Sequence, residues 1–180
     1  MNSPDPAIRQ WFVMRDLKRR NAKHPAYRMF EELHVECFTP MVEALSVVNG
    51  HRIRRVVPFM QDLLFVRNTR KAMDFIVDST PTLQYRYVLG LRHTPMVVRD
   101  AEMDRFIRAV RASQSIRYYT PQEVTPSMRS RRIRIIGGPL HGYEGSLVTV
   151  RGSKVRRLLV EIPSLLAATV EVEPEYIQLM

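Results

Sequence analysis

The sequence predicts an α+β protein, in which an N-terminal α/β sandwich with an antiparallel sheet and helices is joined by a linker to a small five-stranded β-barrel. Three observations lead to this prediction. Short apolar runs alternate with helical patterns over residues 1–115. Residues 116–130 lack this periodicity and contain Pro121 and Pro126, as linkers often do. Strand-like alternation repeats over residues 131–180, which form the predicted barrel.

The first elements alternate between strand and helix. A continuous apolar run over residues 10–14 is too short for a helix and predicts a buried central strand. Pro25 suits the first turn of a helix, because apolar residues follow it at helical spacing. An Asn-Gly pair at 49–50 lies between the apolar runs 42–48 and 53–57, which is a strong signal for a β-hairpin.

The rest of the N-terminal part continues in the same way. Residues 35–39, 63–66 and 85–89 are strand-like, and residues 71–77 predict a short helix. Asp100 is the predicted N-cap of a final amphipathic helix, because acidic residues follow it in the first turn.

The C-terminal part is rich in short strands. Runs at 132–135, 147–150, 158–162 and 170–173 predict a small barrel. The loop after the first run carries four residues that allow tight turns: Gly138, Pro139, Gly142 and Gly145. Because this loop precedes a strand and lacks the spacing of a phosphate-binding loop, we reject a nucleotide site. A plain hairpin turn in a barrel remains an alternative.

The charge of the chain indicates an acidic partner, and simple solubility is the alternative interpretation. The net charge is +10, most of it in residues 1–130, and most basic residues are arginines. Such a protein is attracted to nucleic acid or to acidic protein surfaces. The candidate nucleic-acid contacts are four basic residues ahead of the first helix: Lys18, Arg19, Arg20 and Lys23. A solvated basic loop is the alternative.

Residue types typical of catalysis and metal binding are scarce. Cys37 is the only cysteine, and the five histidines form no His-x-x-x-His or His-Glu-x-x-His pair. The carboxylates of Asp100, Glu102 and Asp104 fit a helix N-terminus without any ion. We therefore expect no enzymatic activity, no cofactor and no metal. With no apolar run of membrane-spanning length, we expect the protein to remain in the cytoplasm. We also expect it to be a monomer.

Two segments carry a resemblance to a known family. The run Trp11-Phe12-Val13 is similar to the Trp-Tyr-Val that begins the NusG N-terminal (NGN) domain, and residues 57–66 resemble its Val-Pro-Leu-Phe-Pro-Gly-Tyr-Val-Phe-Val. The glycine loop resembles the KOW motif of SH3-like barrels. The departures from Phe-Pro-Gly-Tyr are Met60, Gln61, Asp62 and Leu63. They suggest a specialised paralogue, similar to the UpxY antiterminators of surface-polysaccharide operons.

The resemblance implies a factor that binds the clamp helices of bacterial RNA polymerase through its N-terminal domain and suppresses pausing or termination. The implied polymerase contacts are apolar: Trp11, Phe59, Met60, Leu63 and Phe65. Packing in the core is the alternative, above all for Trp11 and Phe59. The basic loop would contact nascent RNA or non-template DNA.

The KOW domain would bind Rho or a small-subunit ribosomal protein through the glycine loop, Leu165 and Leu166. The segment with these leucines departs from the family pattern because it lacks Phe-Gly-Arg, and core packing of both leucines is the alternative. The alternatives are a general NusG-type elongation factor and an RNA-binding or ribosome-associated KOW module.

Overall fold

In the computed structural model, residues 7–19, 22–150 and 152–180 are described. The chain divides after Asp100 into two units. The sequence predicts an N-terminal domain over residues 1–115, a linker over 116–130 and a barrel over 131–180. These limits differ from the division after Asp100, and as functional boundaries they stay predictions.

The first unit combines a sheet, a separate hairpin and two helices. In chain order, its described elements are β1 (Arg9–Asp16), α1 (Ala26–Glu32), β2 (Cys37–Phe38), β3 (Met41–Val48), β4 (His51–Pro58), β5 (Leu64–Thr69), α2 (Arg70–Ser79), β6 (Leu83–Tyr85) and β7 (Val97–Val98). The main sheet is antiparallel with the order β2-β5-β1-β6, and β7 also pairs with β1. β3 and β4 form a two-stranded sheet of their own.

β1 is buried because both of its faces are covered. Residues 11–14 are all buried, as the continuous apolar run predicted. Phe12 and Met14 belong to a core that is completed by both helices and the neighbouring strands: Ala26, Phe30, Leu64, Val66, Met73, Leu83 and Tyr85. Since side chains alternate along a strand, Trp11 and Val13 point to the opposite face.

The hairpin β3–β4 follows the Asn-Gly signal closely. Val48 pairs with His51, so Asn49 and Gly50 are the only turn residues. Both have positive φ, 50° and 78°, as the turn that best matches strand twist requires. The expected hairpin is therefore confirmed, with the short form of its loop.

The second unit begins at Ala101 and therefore contains all but the first residue of α3 (Asp100–Ala112). Its described strands are β8 (Ile116–Tyr119), β9 (Arg132–Ile135), β10 (Glu144–Thr149), β11 (Arg156–Ile162), β12 (Leu166–Val172) and β13 (Ile177–Leu179). Short 3-10 helices lie at Pro121–Glu123, Pro126–Arg129, Gly138–Leu140 and Pro174–Tyr176. The sheet is antiparallel with the order β13-β9-β10-β11-β12-β8.

The structure confirms the α+β class, but it differs from the prediction in the second unit. Within the described residues, β13 and β8 end the sheet and no pairing closes it into the five-stranded SH3-like barrel. Five strands come from residues 131–180, as expected, and β8 is a sixth. β8 lies in the stretch predicted as a linker. This stretch forms a strand because Ile116–Tyr119 pairs with Ala167–Val170 of β12.

Candidate functional site

The segment that departs from the family motif forms a turn between β4 and β5. The Phe59 N–H donates to the carbonyl of Pro40 at 2.8 Å, and the Leu63 N–H donates to the carbonyl of Met60 at 3.3 Å. Phe59 and Met60 are half-buried, so each exposes part of an apolar side chain. These two are the predicted polymerase contacts that reach the surface.

The other three predicted polymerase contacts are buried. Trp11 and Leu63 are 1% exposed and Phe65 is 0% exposed, so a partner cannot touch them in this structure. The Trp11 indole N–H has no hydrogen-bond acceptor within the described part of the chain. Trp11 lies on β1, Phe65 lies on β5 and Leu63 directly precedes β5. A polymerase contact for any of them stays a prediction.

The basic loop between β1 and α1 is held by a buried carboxylate. Asp16 accepts hydrogen bonds from the backbone N–H of Lys18 at 3.0 Å and of Ala26 at 2.6 Å. The Lys18 ammonium donates to the carbonyl of His24 at 2.6 Å, which closes the loop. Arg19 and Lys23 are exposed. Arg20, the fourth predicted contact, lies outside the described residues.

The structure brings this loop beside the turn at residues 59–62. Gln61 Nε2 donates to the carbonyl of Lys18 at 3.2 Å. We call the two segments together the loop–turn surface, defined by the residues that the prediction and the structure both place there: Lys18, Arg19, Lys23, Phe59 and Met60.

Sequence reasoning missed the ion pairs that fix the turn. The Asp62 carboxylate lies 3.4 Å from Arg15 Nε and 3.0 Å from Arg86 Nη2. In the sequence, Asp62 stands out only as a departure from the family motif. Arg86 is 24 residues further on and belongs to no motif, so no pattern in the sequence connects the two.

The glycine loop of the second unit has mainly structural roles. Gly138 and Gly142 have φ of 65° and 81°, a region that favours glycine. A Cβ on Gly145 would lie 2.6 Å from the carbonyl oxygen of Leu159, so this glycine permits close strand packing. Pro139 is exposed and remains open to a partner.

The two leucines predicted to anchor a partner of the second unit are buried. Leu165 is 7% exposed and Leu166 is 1% exposed. The Leu165 N–H donates to the carbonyl of Ile162 in the turn between β11 and β12. Packing is therefore their role in this structure, and a partner role for either stays a prediction.

Groups suited to chemistry are sparse in the described part of the chain. It contains no cluster of three or more His, Cys, Asp or Glu residues that could hold a metal ion. Burial raises the pKa of Cys37 to about 11, so its thiol stays protonated and a poor nucleophile near neutral pH. None of the described helices is long and apolar enough to cross a membrane.

A family model described as transcription termination factor nusG matches residues 9–107, more than half of the chain. The chain belongs to the NusG family. The family is one of transcription factors, and the match includes every residue of the loop–turn surface. Among solved structures, the chain is similar to one titled "Domain interaction in Thermotoga maritima NusG". The identity is 15%, the match covers 97% of this chain and 98% of that chain, and the TM-score is 0.47. No curated protein matches the sequence.

Proposed function

We propose that this NusG-family protein binds the clamp helices of bacterial RNA polymerase and suppresses pausing or termination. The observation that carries the proposal is the family match over residues 9–107. That range holds the loop–turn surface, where apolar Phe59 and Met60 lie beside a basic loop. The protein would act by binding alone, in the cytoplasm, where transcription takes place.

The surface suits a two-part contact. Phe59 and Met60 would fill a groove on the polymerase, and the flexible thioether of Met60 adapts to an irregular groove. Arg19 and Lys23 are exposed, so they would reach phosphates of the nascent RNA or the non-template DNA. Phosphate contacts of this kind make binding sensitive to salt.

We further propose that the protein is a specialised antiterminator of the UpxY type, acting on particular operons such as surface-polysaccharide clusters. The turn supports this proposal, because it carries Gln61 and Asp62 where the family motif has Pro-Gly. Asp62 is held by Arg15 and Arg86, so this chain has its own means of fixing the turn.

We propose a KOW-type role for the second unit on weaker grounds. The positive φ of Gly138 and Gly142 and the exposed Pro139 support a resemblance to that motif. Its partner would be Rho or a small-subunit ribosomal protein, contacted through the glycine loop, since Leu165 and Leu166 are buried.

Polymerase binding by the full chain tests the first proposal. The informative variant is Met60→Asp, and the matched control is Phe75→Asp, the same kind of change at a residue of α2 that is 75% exposed. We expect about tenfold or greater loss of affinity for Met60→Asp, since a buried charge disrupts an apolar contact. The control should bind as the unchanged protein does. Equal affinity of both variants would refute docking through this surface.

Transcription assays on two templates test the specialised role. A template with the leader of the protein's own operon should show reduced pausing, and an unrelated template should not. Equal effects on both templates would favour the general elongation factor, and no effect on either would exclude antitermination.

A further inference from the structure

The β3–β4 hairpin is a basic ribbon that the family resemblance did not single out. Its arginines all lie on β4, at Arg52, Arg54 and Arg55. Residues 45–55 contain these three arginines and His51 but no acidic residue. The positive charge is therefore concentrated in the half of the hairpin that contains the turn.

Among the described residues, this positive charge has little compensation from acidic side chains. Arg54 lies 3.6 Å from Glu43, and both side chains are well exposed, so the pair contributes little. Arg52 and Arg55 form no ion pair with any residue that the structure describes. The arginines are consequently available to an anionic ligand.

One face of the ribbon also exposes apolar side chains. Leu45 is opposite Arg54, and Val47 is opposite Arg52, so all four point to the same side of the hairpin. Leu45 is 70% exposed and Val47 is 69% exposed. Val56, opposite Glu43 on this face, is 61% exposed. Such a face offers apolar contact between cationic groups.

We propose that the β3–β4 hairpin binds double-stranded DNA, with its turn entering the major groove. The major groove, about 12 Å wide, admits a two-stranded β-ribbon. The arginines would contact phosphates or the acceptor atoms of guanine, and Leu45 and Val47 would contact thymine methyl groups.

The composition of the hairpin favours duplex DNA over other nucleic acids. Residues 41–58 contain no Phe, Tyr or Trp, and single strands are bound mainly by stacking their bases on aromatic side chains. The major groove of duplex RNA is too deep and narrow for a ribbon.

The test measures DNA binding without polymerase, so it is separate from the proposed docking function. Fluorescence anisotropy would follow the full chain binding a duplex of about 20 base pairs at several salt concentrations. The hairpin variant carries Arg52→Gln, Arg54→Gln and Arg55→Gln. The control variant loses three charges at exposed positions elsewhere, with Lys71→Gln, Arg108→Gln and Arg111→Gln.

We expect the hairpin variant to bind duplex DNA at least about tenfold more weakly than the unchanged protein. The slope of log binding constant against log salt concentration should be smaller in magnitude by about 2 to 3. The control should lose less affinity. Equal losses in the two variants, single-stranded DNA bound as tightly as duplex, or no duplex binding at all would each overturn the proposal. Loss of DNA binding with intact polymerase binding would leave the docking proposal standing.

Discussion

Gln61 donates a hydrogen bond from Nε2 to the carbonyl oxygen of Lys18 at 3.2 Å, across 43 residues of sequence. This bond joins the basic loop to the turn that follows β4. The loop also depends on Asp16, whose carboxylate accepts two backbone N–H groups. The position of the exposed cations therefore depends on both a local and a distant contact.

We predict that Gln61→Ala loosens the basic loop. The variant loses one hydrogen bond, which contributes about 0.5 to 1.5 kcal/mol. Local opening of the loop should then increase by roughly two- to tenfold. The measurement is the rate of limited trypsin cleavage after Arg19 and Lys23, with the products identified by mass spectrometry.

Two controls apply to the trypsin experiment. Cleavage after Lys154, which is exposed in the second unit, should not change. Gln84→Ala, the same substitution at an exposed position of β6, should leave the loop rate unchanged. If Gln84→Ala accelerates loop cleavage as much as Gln61→Ala does, the bond to Lys18 is not what holds the loop.

The Cys37 thiol should react slowly at neutral pH. Burial, followed by the nearby charges of Glu31 and Glu36, raises its pKa to about 11. A free cysteine has a pKa near 8.5, so at pH 8 the thiolate fraction of Cys37 is about two orders of magnitude smaller. Its alkylation rate should keep rising up to about pH 11. A plateau near pH 9 would contradict this expectation.

The same pKa shift predicts a loss of stability at alkaline pH. A group whose pKa is raised on folding contributes stability below its unfolded pKa, near 8.5. That contribution is lost as pH rises toward 11, the folded value. Relative to Cys37→Ala, the unchanged protein should lose about 1 kcal/mol between pH 8 and 10, after allowance for partial exposure. If the free energy of unfolding changed with pH in the same way for both proteins, the prediction would be contradicted.

Gly145→Ala should destabilise the second unit. The added Cβ would lie 2.6 Å from the Leu159 carbonyl oxygen and 2.6 Å from a Leu158 methyl group, so the paired strands must move apart. Overpacking of this kind costs about 1 to 3 kcal/mol. Gly142→Ala is the comparison, because a Cβ there meets no neighbour and only the positive φ is strained. Chemical denaturation should show a larger loss in free energy of unfolding for Gly145→Ala than for Gly142→Ala. An equal or smaller loss would contradict the steric argument.

Sequence patterns predicted the elements that depend on local signals. β1 was predictable because four consecutive apolar residues leave no solvent face, and the hairpin because Asn49 and Gly50 adopt positive φ readily. β8 was not predictable, since its partner strand lies some 50 residues away and nearby prolines resemble a linker.

The candidate site was predictable only in outline. The family motif located the turn at residues 59–62, but neither the Asp62–Arg86 pair nor the Gln61–Lys18 bond follows from spacing in the sequence. Burial of Trp11, Leu63 and Phe65 depends on tertiary packing that their positions in the motif do not reveal.

Arg157 should be required to hold β8 on the sheet. It is 7% exposed, and its guanidinium donates to Ser115 Oγ at 2.6 Å and to the Ser115 carbonyl at 3.0 Å. It also donates to the Thr169 carbonyl at 3.4 Å. Arg157→Ala would remove all three bonds, and hydrogen bonds to a charged group contribute about 1.5 to 3 kcal/mol each. We expect backbone amides of Ile116–Tyr119 to exchange at least tenfold faster by hydrogen–deuterium exchange.

Arg157→Lys is the matched variant, because it keeps the charge but cannot span Ser115 and Thr169 with a planar group. It should give intermediate exchange rates at β8. Amides of β9, at the other side of the sheet, should keep their protection in both variants. Full protection of β8 in Arg157→Ala would mean that its pairing with β12 alone holds the strand. Residues 113–119 would then need no side-chain anchor.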